Sequence, residues 1–158
     1  MITPVLITLF ERDLNKLTEE ISLYPDDSSL WVVKEGIKNS GGNLCLHLTG
    51  SLQHFIGNVL GDTGYIRNRE GEFNIKNIGK HKLLNEIENA KVAVKDALEQ
   101  TSKKTLEKNY PLPINGETVT TEFLLLHMLT HLNYHTGQIN YHRRLLGFPQ
   151  EQPEAPKQ

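Results

Sequence analysis

Periodicity constrains this chain most. Apolar residues recur at helical spacing in four segments, and no stretch alternates as a half-buried strand does. Residues 3 to 24 place Leu6, Phe10, Leu14, Leu17 and Ile21 about one turn apart. Residues 43 to 60 resume the pattern, with Asn43 as the expected N-cap. A third helix is predicted from residue 80 to about residue 107, with Leu83, Ile87, Ala90, Val94 and Leu98 on one face. Lys95–Glu99 and Glu99–Lys103 fall on its wet face as i,i+4 pairs. The last helix is expected to be capped by Thr120, to carry Glu122 in its first turn and to run to Leu146, where Gly147 stops it. Four amphipathic helices around one core predict an all-α four-helix bundle over residues 1–147. Residues 148–158, "FPQEQPEAPKQ", read as a disordered tail.

The connections carry further information. "YPDDSSLWVVKEGIKNSGG" breaks the helical pattern, and its Trp31 is expected to pack the link against the bundle. The 61–79 link is long for a compact domain. A helix of about 18 residues is about 27 Å long. A link of this length spans more than that at roughly 3.3 Å per residue. A parallel crossover between the second and third helices is therefore open, although length alone does not fix the topology. In "NYPLPINGETV", Asn115-Gly116 can close a small hairpin.

Composition narrows the function classes. The 158 residues suit one domain, and 17 Lys and Arg nearly balance 19 Asp and Glu. No basic patch supports nucleic-acid binding. The single cysteine, Cys45, excludes an intrachain disulfide and fits a reducing compartment. The N-terminus lacks the charge pattern of a signal peptide, and no apolar run reaches the roughly 20 residues of a membrane span. The expectation is a soluble cytoplasmic protein that binds neither membrane nor nucleic acid.

The stretch "HMLTHLNYHTGQINYH" holds four of the seven histidines. Each helical residue turns about 100°, so with His127 at zero, His131 lies at about 40°, His135 at about 80°, Gln138 at about 20° and His142 at about 60°. Leu124 and Leu145 share that stripe, which places it toward the bundle interior. In the second helix His47 shares a face with Leu44, Leu48 and Ser51, and His54 lies two turns on. Two inward histidines one turn apart, facing a third from another helix, form the pattern of a bundle metal site. Imidazole suits Zn²⁺, Ni²⁺ or Fe²⁺. An inward histidine alone is more often a hydrogen-bonded core residue, but several without a shared partner would leave buried polar groups unsatisfied. No Glu follows the first His of either His-x-x-x-His pair, which removes the zinc-protease motif. No Glu-x-x-His occurs, which disfavours a di-iron carboxylate bundle. Cys45 lies about 200° from His47 around the helix and reads as a small core or interface residue.

"NLCLHLTGSLQHFIG" followed by "HLNYHTGQI" resembles the DinB/YfiT-like superfamily of metal-dependent four-helix bundles, over roughly residues 1 to 147. "GDTGYIRNREGEF" is similar to one uncharacterised branch of it. The resemblance implies an up-down-down-up bundle and a metal held by His47, His131 and His135. The metal it implies is Ni²⁺ or Zn²⁺, with Fe²⁺ or Mn²⁺ as further possibilities. It also implies a homodimer. Characterised relatives transfer or isomerise with low-molecular-weight thiols such as bacillithiol, mycothiol or glutathione.

Three neutral ligands would leave the metal's charge undiminished. An open position could then lower the pKa of a bound thiol or water. Thiol transfer to an electrophile is the first reading for a small-molecule substrate. Metal-dependent hydrolysis is the alternative, and a metal that merely staples a stress-related binding module is the non-catalytic one. Gln138 is a candidate for orienting a ligand, against the plain reading of a polar residue near the bundle end. His127 and His54 are candidate proton carriers, although supporting roles fit them as well. Arg67 and Arg69 are candidates for an anionic substrate or thiol cofactor, against a solvated charged loop. His142 is expected at an exposed helix end and His81 in solvent.

Overall fold

The structure, a computed structural model, describes residues 2–147. The predicted tail, 148–158, lies outside the described residues. Six α-helices follow in order: α1 (Thr3–Ser22), α2 (Gly41–Leu52), α3 (Arg69–Asn74), α4 (Lys80–Glu99), α5 (Lys103–Glu107) and α6 (Thr121–Leu145). There is no strand among the described residues. Helices α1, α2, α4 and α6 form the bundle. Leu6, Phe10, Leu14, Leu17 and Ile21 of α1 meet Leu48, Leu52, Leu83, Ile87, Leu124 and Leu132 in one buried core.

Cross-helix contacts set the directions. Asp13 and Glu20 of α1 reach Asn133 and Asn140 of α6, so those two helices run parallel. Gln53, Gly57 and Gly61 meet Glu86, Ala93 and Ala97, so the second segment runs parallel to α4. His47 meets His131 while Gly41 approaches His142, so α2 and α6 are antiparallel. The bundle is up-down-down-up, and the 61–79 connection is the long crossover that this order demands.

Several boundaries move, each for a local reason. The second helix begins at Gly41, because Ser40, not Asn43, is its cap: Ser40 Oγ accepts from the Asn43 backbone N–H at 3.2 Å. The Gly-Gly pair that reads as a breaker is a packing site. A Cβ at Gly41 would collide with the Tyr24 hydroxyl, and one at Gly42 would lie 2.7 Å from the Trp31 ring. Residues Gln53–Asn58 continue α2 as a wider π-helical turn. The third predicted helix divides. It leaves helical geometry after Glu99, and Ser102 caps α5 by accepting from the Thr105 N–H. Lys95 faces Glu99 at 4.0 Å as expected, but Lys103 pairs with Glu107 at 3.8 Å instead of reaching back to Glu99.

Other expectations hold. Thr120 caps α6, Gly147 adopts φ 78°, and Asn115 and Gly116, with φ 51° and 84°, turn a short hairpin. Trp31 is buried, and its indole N–H donates to the Ile78 carbonyl at 3.2 Å. Cys45 is a buried free thiol in the core. No helix among the described residues is long and apolar enough to cross a membrane.

Candidate metal centre

The antiparallel contact of α2 and α6 decides the site. His47 emerges from the face of α2 that buries Leu44, Leu48 and Ser51, while His131 and His135 stand one turn apart on α6. Their three ligand nitrogens lie within 4.8 Å of one another. Nε2 of His47 is 3.1 Å from Nε2 of His131. The ring planes cross at 76°, 88° and 86°, so no two of the three rings stack face to face. Two nitrogens each about 2.0–2.1 Å from one ion stand roughly 2.9–3.4 Å apart at bond angles between square and tetrahedral. The His47–His131 spacing falls within that range.

The donor set also fits a cation chemically. Gln138 Oε1 lies 2.6 Å from His135 Nδ1, and the same amide offers its N–H to the Tyr134 hydroxyl at 3.4 Å. The carbonyl oxygen thus accepts from Nδ1–H, and in the neutral ring the lone pair is left on Nε2. His131 Nδ1 is buried with no hydrogen-bond partner. Burial, followed by the neighbouring His135, His47 and His127, lowers the His131 imidazole to about 4. Burial and then the His47 charge lower His135 against the opposing Gln138 hydrogen bond. Rings held neutral in this way are ready ligands, since a protonated imidazole cannot ligate. The cluster could hold a metal ion.

A cavity of about 300 Å³ opens over it, at the small end for ligand pockets. His47, His131, His127, Arg67 and Arg69 line it, and Asn115 of the hairpin contributes to the wall. The crossover adds a residue that sequence reasoning missed. Glu72 is 5% exposed and lies 3.0 Å from His47 Nδ1 through Oε2. Arg67 Nε donates to Glu72 Oε1 at 2.6 Å, and its Nη2 donates to Oε2 and to Ser51 Oγ, each at 2.8 Å. Burial would lift the Glu72 carboxyl, but the hydrogen bonds from Arg67 and His47 outweigh it and hold it below its ordinary value.

The remaining candidates are placed unequally. His127 lines the cavity, its ring stacked along the same row as His131 at 6.3 Å. Gln138 touches His135 but borders a different cavity, beside Tyr141 and His142. His54 is half-buried, packs edge-on against Phe55, and keeps a buried Nδ1 without a hydrogen-bond partner; it does not line the cavity. Arg67 is not a solvated loop cation, because Glu72 and Ser51 hold its guanidinium. Arg69 has no ion-pair partner among the described residues and faces the cavity. His81 is exposed. His142, expected at an exposed end, is buried: Tyr24 and the first link close over it, with the Tyr24 hydroxyl 2.6 Å from Nδ1 and the Val32 carbonyl 2.8 Å from Nε2.

Glu72 left one weak trace in the sequence. Asn68 is a favoured N-cap residue type, and its Oδ1 does accept from the Gly71 N–H to start α3. That signal finds the short helix but not the direction in which Glu72 points.

The fold is that of DinB-like proteins. A crystal structure of a DinB-like protein from Bacillus cereus ATCC 10987 aligns with a TM-score of 0.71 at 14% identity, covering 93% of this chain and 95% of that one. A DinB-like protein from Bacillus subtilis aligns at 0.68 and 19% identity, covering 94% and 95%. No curated protein matches the sequence. A family model matches residues 5–150, and the chain accordingly belongs to DUF1572, a family of proteins of unknown function.

Proposed function

We propose that His47, His131 and His135 hold one divalent ion, Zn²⁺ or Ni²⁺, and that the protein transfers a low-molecular-weight thiol to a small electrophile in the cavity above. The observation that carries the reading is the convergence of three imidazoles within 4.8 Å of one another, two of which, His47 and His131, line an open cavity. When bound, the ion would supply Lewis-acid character that lowers the pKa of a thiol at its open position. The charge of Glu72 is balanced by Arg67, so the protein adds no net negative charge at the ligands. Arg69 adds a positive one at the wall, which favours an anionic thiol or a carboxylate-bearing substrate. In this reading His127, which lines the cavity, takes the thiol proton as the new carbon–sulfur bond forms and the leaving group departs with its electron pair. Gln138 keeps His135 in one orientation.

Hydrolysis is the second reading; the state of Glu72 removes one candidate base, although His127 or His54 could take the proton of a water in its place. A hydrolytic site gains from a nearby general base. Glu72 is engaged by Arg67 and His47 and held below its ordinary pKa, so it is a poor base. The test is to incubate metal-loaded protein with an electrophile and a panel of thiols, then with esters and amides, beside His135→Ala. Metal-dependent thioether formation is expected. Metal-dependent hydrolysis alone would replace the transferase with a hydrolase. Loss of thermal stability on chelation, with no turnover, would favour a structural metal.

The assembly proposed with this reading is a homodimer. Its support is the resemblance to dimeric bundles, together with the exposed Phe123, Leu126, Tyr134 and Tyr141 on the outer face of α6. Light scattering at micromolar concentration should return twice the 18.0 kDa chain mass, and the single-chain mass would refute a stable dimer.

A further inference from the structure

Glu72 reaches the centre through a set of contacts that a surface ion pair would not need. It sits on α3, a two-turn helix inside the crossover, 25 residues from His47 in sequence. Its backbone is tied down from α2: the Asn43 side-chain amide donates to the Glu72 carbonyl at 2.9 Å and to the Ile75 carbonyl at 2.8 Å. Its carboxylate enters a space that exists only because residue 50 is glycine, since a Cβ there would collide with Glu72 Oε1. Both oxygens are occupied, one by Arg67 Nε and the other shared between Arg67 Nη2 and His47 Nδ1. A carboxylate can only accept, so the His47 nitrogen facing it must be the one that carries hydrogen. In the neutral ring the lone pair is then confined to Nε2, the atom that faces His131 at 3.1 Å.

We propose that Glu72 is a positioning residue of the metal centre, which fixes His47 in the Nδ1–H tautomer with Nε2 directed at the ion, and that Arg67 fixes Glu72. The inference rests on the proposed metal reading. It assigns to the crossover a role that helix packing alone does not give it: α2 and α6 bring the ligands together, and α3 sets the state of one of them. Arg67 completes the device electrostatically. It cancels the buried charge of the carboxylate, so Glu72 orients and polarises His47 without reducing the net charge available to an anionic ligand. Loss of a residue that supports a ligand in this way typically weakens metal affinity by about 10–100-fold.

Two measurements test this separately from the metal itself. In metal-free wild type, nitrogen chemical shifts of His47 should report hydrogen on Nδ1. Hydrogen predominantly on Nε2 would overturn the proposal without any variant having to fold. Cobalt affinity is then measured by chelator competition for wild type, Glu72→Ala and Glu72→Gln, with the visible cobalt spectrum recorded at saturation. Glu72→Ala should still saturate at one ion per chain, but about 10–100-fold more weakly and with a mixed His47 tautomer. Glu72→Gln, whose amide oxygen can still accept from Nδ1–H, should recover part of that loss. Wild-type affinity in Glu72→Ala, with metal lost in His131→Ala, would overturn the role of Glu72 and leave the metal reading standing. Failure of wild type itself to bind cobalt, zinc or nickel would overturn both.

Discussion

Helix α6 carries histidines at its middle and near its C-terminal end, and the two places treat them differently. His142 is closed. Its Nε2 donates to the Val32 carbonyl, its Nδ1 accepts from the Tyr24 hydroxyl, and the neighbouring Arg143 is locked to Glu20 through two bonds of 3.0 and 2.9 Å. At His131 and His135 the protein satisfies only part of the imidazole. Gln138 holds one nitrogen of His135, His131 Nδ1 has no hydrogen-bond partner, and the remaining nitrogens face one another beside a cavity. Residue type, helix and stripe are the same; the partners differ. A histidine whose two nitrogens both find protein partners contributes to the fold. Histidines that mainly find each other are arranged for something the protein does not itself supply.

The comparison breaks most sharply at His131. His131→Ala should reduce bound metal from one ion per chain to nearly none. It should weaken affinity by more than about a hundredfold, the upper end seen when only a supporting residue is lost. Elemental analysis and chelator competition read this, with far-UV circular dichroism showing the bundle intact. Full occupancy would remove His131 from the site.

The closed end should respond in stability instead. Arg143→Ala leaves the Glu20 carboxylate, which is 1% exposed, with only Asn140 and the more distant Lys16, and removing one partner of such a buried pair costs about 3–5 kcal/mol. Urea unfolding should show this loss, with metal stoichiometry unchanged. A change below about 1 kcal/mol, the range of exposed pairs, would mean that the pair is far more hydrated than its burial indicates.

His142→Ala should cost less, about 2–3 kcal/mol, from an unsatisfied Val32 carbonyl and a cavity the size of a ring. It too should leave metal content untouched. Loss of metal in this variant would show that the two places are coupled along α6.

The smallest effect is in pH. Burial lowers the folded His142 pKa, the Lys34 charge lowers it further, and the hydrogen bond to Val32 opposes them. An unfolded histidine titrates near about 6.5. Between the two values the unfolded chain binds more protons, so stability rises with pH. This contribution is present above the unfolded value and is lost as pH falls through the folded one. In chelated protein, the Tm drop from pH 7.5 to 5 should therefore be shallower in His142→Gln than in wild type. Equal slopes would show that His142 titrates normally in the fold.

The sequence by itself determined the bundle and the inward stripe that carries His131 and His135; the choice of these two with His47, over His127, His142 and His54, came from the family resemblance. The bundle and the stripe are periodic signals. Leu6 through Ile21 repeat every three or four residues, and so do His131 and His135, because a helix returns to one face at that spacing. The caps at Thr120 and Ser102, and the turn at Asn115-Gly116, are likewise local chemistry, although the Ser102 signal was hidden inside an apparently continuous helical pattern. Tertiary structure alone decided the rest. Gly41 and Gly42 resemble a loop until Tyr24 and Trp31 come to lie against them. His142 resembles a fraying end until the first link folds back over it. Glu72 has no periodic relation to His47, and its role exists only where the crossover, the Gly50 gap and Arg67 meet. Helical periodicity is a property of neighbours along the chain, whereas the partner of a buried polar group is chosen by whichever distant segment packs beside it.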